Sequence, residues 1–210
     1  GEVYEKCGNL HGFLGLTQVY KDNLYRTPND EDDVWATYVT PGIWAAFPGS
    51  CQRLVEIITS NAAPGGLSLR PFFPDPDRVY QAYILYSPQF EFYDDHSDHN
   101  ITTHRLDAYF RYNTRNKFSL RLLDQFNYSH DILYISERRT RNFTIDDEYR
   151  NNLFDMTATL SLTERLKLRL DYSNFYVNYT DERNDGADRM DNSFSLYGFF
   201  NLTAKMALFA

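Results

Sequence analysis

The chain has 210 residues, enough for one domain with a sizeable core, and 29 acidic against 21 basic side chains set its formal net charge at -8. That balance excludes a general attraction to nucleic acid. Mean hydropathy is -0.56 and no run approaches about 20 apolar residues, which excludes a helical membrane protein but not a β-barrel, whose alternating strands average to a polar hydropathy.

Aromatic residues make up 17% of the chain, with 17 Tyr and 16 Phe, a composition suited to strands. The opening GEVYEKCGNL has no basic start and no apolar run, so the expectation is a cytosolic protein or one whose signal peptide has been removed. Cys7 and Cys51 are the only cysteines. In an oxidising compartment they can bridge the N-terminus to the end of the second strand; otherwise they are two unpaired thiols.

Residues 19–47, VYKDNLYRTPNDEDDVWATYVTPGIWAAF, predict a hairpin. Tyr20, Leu24 and Tyr25 mark its first strand. Trp35, Tyr38, Val39, Ile43 and Trp44 mark its second, with the acidic run 28–33 as the loop between them. Residues 51–80 carry Pro64, Pro71, Pro74, Pro76 and the adjacent Gly65 and Gly66, and predict an irregular excursion. Within it, RLVEIITS is a brief strand or a helical turn. Residues 82–93, AYILYSPQFEFY, predict a strand with a bulge or a weakly paired position at Pro88.

One unit then repeats. In RLDAYFRYN (105–113), Leu106, Ala108, Phe110 and Tyr112 share one phase, and Arg105, Asp107, Tyr109 and Arg111 the other. A tight turn leads to FSLRLLDQFNYS (118–129), which sets Phe118, Leu120, Leu122, Phe126 and Tyr128 against Ser119, Arg121, Gln125 and Asn127. The alternation recurs in 152–162, 166–179 and 192–203, and the start of a ninth strand follows at Met206. Connections are short at 114–117, 163–165 and 203–205, and long and polar at 94–102, 136–148 and 180–191.

A meander with short turns on one rim and long loops on the other is the layout of an outer-membrane β-barrel. A soluble sandwich has no need of that asymmetry and usually carries Greek-key crossings. In a barrel the apolar phase, with Leu122, Leu160, Leu168 and Phe200, meets lipid, and the charged phase lines a watery lumen. The expected lumen-lining residues are Arg105, Asp107, Tyr109, Arg111, Arg121, Gln125, Lys167, Arg169, Asp171 and Tyr197. The expected fold is all-β: an antiparallel up-and-down transmembrane β-barrel, one domain over 1–210 with an insertion at 51–80. Its strand count predicts the N-terminal part of a larger barrel. A soluble extracellular β-sandwich used for binding is the alternative.

Tyr20, Asp22, Asn23, Leu24 and Tyr25 on the first strand, with Pro41, Gly42 and Ile43 on the second, carry a more specific signal. This hairpin resembles the first hairpin of the outer-membrane β-barrel proteins encoded with bacterial exopolysaccharide assembly genes. The resemblance implies a bacterial outer-membrane location and a non-enzymatic role in polysaccharide export. The partners it implies are outer-membrane lipid, a polysaccharide and other envelope or export proteins. A general porin or a structural envelope barrel is the alternative function.

Other chemistry is sparse. Asp94, Asp95, His96, Asp98 and His99 supply ligand types suited to a divalent metal, but acidic loops are more often simply solvated. Asp181, Asp185 and Gly186 loosely match a calcium loop that lacks its bidentate Glu. There is no nucleophile elbow, phosphate loop or zinc-protease motif, so no catalytic residue and no cofactor is expected. Asp107, Asp124, Asp155 and Asp171 lie on predicted strands and read as inward ion-pair partners.

Overall fold

The computed structural model describes residues 8–22, 33–52, 55–60, 63–69, 75, 78–94, 97, 100–114, 117–136, 142–203 and 206–209. They form β1 (Leu10–Lys21), β2 (Val34–Phe47), β3 (Val55–Ser60), β4 (Ala63–Leu69), β5 (Tyr80–Tyr93), β6 (Ile101–Thr114), β7 (Phe118–Ser136), β8 (Asn142–Ser161), β9 (Leu166–Tyr179), β10 (Arg189–Thr203) and β11 (Met206–Phe209). Among the described residues there is no α-helix.

Nine strands make one sheet in the order β1-β2-β5-β6-β7-β8-β9-β10-β11, while β3 and β4 pair only with each other. Every pairing is antiparallel. The molecule is thus an all-β up-and-down meander of eight long strands and a short ninth. The sheet is open, with no ladder between β1 and β11 among the described residues.

Four elements differ from the sequence expectation. The first strand already begins at Leu10. Leu10, Leu14 and Leu16 hold its apolar phase, while Gly12 and Gly15 dilute the alternation. Leu24 and Tyr25 lie outside the described residues. Residues 51–80 are not wholly irregular, since Val55–Leu69 and Glu56–Ser68 pair in the β3–β4 hairpin. The expected loop at 136–148 is mostly ladder: β7 runs 19 residues and β8 runs 20, paired out to Ser136 and Asn142. Backbone pairing needs no apolar alternation, so the strands outlast the pattern that revealed them. In the expected loop at 180–191, a 3-10 turn covers Glu182–Ala187 and β10 has begun by Arg189.

Register gives the sheet two faces, because neighbours across a ladder point the same way. One row reads Gly12, Ile43, Tyr86, Leu106, Phe126, Asn152, Tyr176 and Met190 from β1 to β10. The opposite face has the row Gln81, Arg111, Arg121, Thr157, Asp171 and Ser195. Among the described residues, all the buried strand side chains lie on this second face, which is called inner below. They include Ala36, Trp44, Ala46, Tyr83, Leu85, Tyr93, Ile101 and Asp107. Two packed clusters form there: Trp44, Ala46, Tyr83 and Leu85 toward the short-turn rim, and Val34, Ala36, Tyr93 and Ile101 toward the long-loop rim. Phe13 joins the first cluster with its ring over Gly42, where a Cβ would run into it. An aromatic side chain covering a cross-strand glycine is a recurrent sheet device, and it explains why position 42 has no side chain.

Candidate lipid-facing belt and polar inner face

The outer face is an apolar belt that no other element covers among the described residues. Leu14 and Leu16 are 73% and 75% exposed, and Phe194 and Leu196 are 69% and 63% exposed. Nearly all the other large, exposed apolar side chains share this face, including Ile43, Ile84, Phe110, Leu160, Phe200 and Leu208; Val79 and Tyr197 do not. The four residues expected to meet lipid, Leu122, Leu160, Leu168 and Phe200, fall on it by register. A soluble fold covers most of its large apolar side chains; here a contiguous set of them on the outer face stays exposed, while the buried apolar clusters sit on the inner face.

The belt ends in a polar and aromatic girdle toward the long-loop rim. Tyr86 Oη and His104 Nδ1 share a hydrogen bond of 2.8 Å. Tyr128 Oη donates to Glu148 at 2.7 Å, and Arg150 Nε donates to Asn178 at 3.0 Å. Asn178 Nδ2 donates to Asp188 at 2.6 Å, and Tyr172 Oη donates to Asn192 at 2.8 Å. On the N-terminal strands Tyr20 stacks obliquely on Trp35 at 5.3 Å and donates to Asp33 at 3.0 Å. Asp124 belongs to this outer set, accepting from Asn152 at 2.7 Å. The expectation that it points inward beside a cation is therefore overturned. The adjacent Leu122, Leu123 and Asp124 break the apolar alternation, and register puts Leu123 inside instead.

All ten residues expected to line a lumen lie on the inner face: Arg105, Asp107, Tyr109 and Arg111 on β6, Arg121 and Gln125 on β7, Lys167, Arg169 and Asp171 on β9, and Tyr197 on β10. They spread across the face and do not converge on one point. Arg105 holds Asp107 through Nε and Nη2 at 2.7–3.1 Å. Arg169 Nε holds Asp171 at 2.8 Å. Both pairs are residues i and i+2 of one strand, which project from the same face. Arg189 and Asp191, in the segment expected as loop, repeat the arrangement at 3.1 Å. Arg111 stands opposite Arg121, and Arg121 leans to the Thr157 hydroxyl at 3.3 Å.

Two inner features carry no apolar alternation and were missed in the sequence. Lys21 reaches the Tyr93 hydroxyl at 3.0 Å over the Tyr93 ring, and that hydroxyl donates to Glu91 at 2.6 Å. A cleft of about 510 Å³ is lined by Thr40, Gln89, Thr103, Asn127, Ser129 and Asn151, among others. The one available signal was the polar phase Ser87, Gln89 and Glu91 in an otherwise aromatic strand.

Of the acidic run after β5, Asp94 is described, while Asp95, His96, Asp98 and His99 lie outside the described residues. Cys51 is disulfide-bonded. Cys7 lies outside the described residues; the neighbours of the two cysteines, Ser50 and Gly8, share a backbone hydrogen bond of 3.2 Å.

No protein-family model, curated protein or solved structure matches this chain.

Proposed function

We propose that this chain is part of the wall of a bacterial outer-membrane β-barrel, non-enzymatic, that assists the passage of a polysaccharide across the outer membrane. The observation that carries the membrane part is the exposed apolar belt, bounded by a hydrogen-bonded girdle and backed by an inner face that carries the ion pairs. Lipid is the solvent that stabilises such a belt, and an aromatic and polar girdle belongs at its interface with water. On this reading the short-turn rim faces the periplasm and the long-loop rim faces outward.

A barrel wall must also pair every backbone group within the hydrocarbon. The meander does so between its strands, except at its two open edges and where the β2–β5 ladder lapses over residues 40–42 and 87–89. β1 and β11 run in the same direction, because each of the steps between them is antiparallel. Antiparallel closure therefore takes an odd number of further strands.

The export part rests on the first-hairpin resemblance and on the inner face. That face offers hydroxyls, amides and Tyr rings, and several of its charges are neutralised in pairs. Sugars present hydroxyls and apolar C–H faces to such a surface. The test is deletion of the gene. Loss of a secreted or surface polysaccharide with unchanged small-solute uptake is expected. Unchanged polysaccharide with altered small-solute permeability would overturn the export reading in favour of a general pore.

A further inference from the structure

We propose that the inner-face cleft beside Pro41 and Pro88 is a subsite for uncharged sugar units of the transported polymer. The inference rests on the export reading and narrows its substrate. Register carries from Val39 opposite Phe90 to Ile43 opposite Tyr86, which sets Pro41 opposite Pro88. Neither proline has an N–H to give the other. The β2–β5 ladder lapses over residues 40–42 and 87–89 as a result, although both strands continue on either side. The buried Ser87 hydroxyl repairs part of the gap by donating to the Pro41 carbonyl at 3.2 Å. A double proline inside a sheet weakens it, and here the weak point adjoins a polar cavity.

That cavity, about 510 Å³, lies within the range of small-ligand sites. Its hydroxyls and side-chain amides both donate and accept, as sugar hydroxyls do. Tyr149 adds an aromatic wall, with the Tyr179 ring 5.7 Å away. Arg105 is the one guanidinium on the wall, and Asp107 already holds it through both Nε and Nη2. The other basic side chain on the wall, His104, shares a hydrogen bond with the Tyr86 hydroxyl through Nδ1. An acidic sugar therefore meets no unpaired guanidinium in the cleft, whereas a neutral one meets the hydroxyls of Thr40, Thr103 and Ser129 and the amides of Asn127 and Asn151, which hydrogen-bond each other at 3.0 Å.

The test is saturation-transfer NMR and titration on the full chain folded in detergent. The probes are uncharged hexasaccharides from dextran, cellulose and mannan, and acidic hexasaccharides from alginate and hyaluronan. At least one uncharged probe is expected to bind. Thr103→Val, which keeps the side-chain shape, and Asn151→Leu are each expected to weaken it about tenfold. Thr159→Val, elsewhere on the inner face, is expected to leave it unchanged. Binding of acidic probes alone, binding indifferent to both cleft substitutions, or no binding by any probe would overturn the subsite. If Asn151→Leu fails to fold, Thr103→Val decides. A deletion strain that loses its polysaccharide while the purified chain binds no probe overturns the subsite and leaves the export reading standing.

Discussion

Leu196→Arg separates a lipid-facing belt from a wet surface. Leu196 is 63% exposed and lies on β10 opposite Leu170, between Phe194 and Gly198 in the outer phase. Were the belt in water, a charge there would meet only solvent, and the cost would fall within about 0.5 kcal/mol. In lipid the position is deep. Leu196 lies four positions from Asn192 in the girdle, about 13 Å along the strand and about 10 Å along the membrane normal at the usual barrel tilt. That is close to the middle of an apolar band about 25 Å tall, where an arginine costs about 2–4 kcal/mol. Ser193→Arg, on the inner face of the same strand, is the control and is expected to cost under about 1 kcal/mol. Urea titration of folding into lipid vesicles measures both. Equal, small costs for the two variants would refute the assignment of faces.

Gly42→Ala drives a methyl group into the Phe13 ring and is expected to destabilise the fold by about 1–3 kcal/mol in the same titration; Phe13→Leu in that background should recover part of the loss. Asp107→Ala is expected to cost about 1–3 kcal/mol, because the Asp107 side chain is only 10% exposed and its loss strips Arg105 of its bidentate partner. Asp191→Ala, in a pair 62% exposed on both sides, is expected to cost under about 1 kcal/mol. Equal losses in the two Asp variants would contradict the burial argument.

The C-terminal half was the most legible part. There the two phases differ sharply in polarity, so Leu166, Leu168 and Leu170 against Lys167, Arg169 and Asp171 reveal both the strand and its faces. The N-terminal third was less legible, for a physical reason. β2 buries Ala36, Trp44 and Ala46 inside while it exposes Trp35, Ile43 and Phe47 outside, so apolar residues fill both phases and the period of two fades. The first half of β8 hides for the opposite reason: Asp146, Asp147, Glu148, Arg150, Asn151 and Asn152 fill both phases of its sequence with polar residues. The inner ion pairs follow from the spacing Arg-x-Asp once the strand is known. The cleft does not, since it depends on which strands are neighbours and on two prolines that lie far apart in sequence meeting across a ladder.

Which face meets lipid decides whether this sheet is a membrane wall, and site-directed spin labelling in lipid vesicles measures that directly. Labels at positions 160, 168, 196 and 200 are expected to collide readily with lipid-soluble oxygen and to be shielded from a water-soluble nickel chelate. Labels at positions 121 and 169 are expected to show the reverse. Equal access of the chelate to both sets would contradict a membrane-spanning wall.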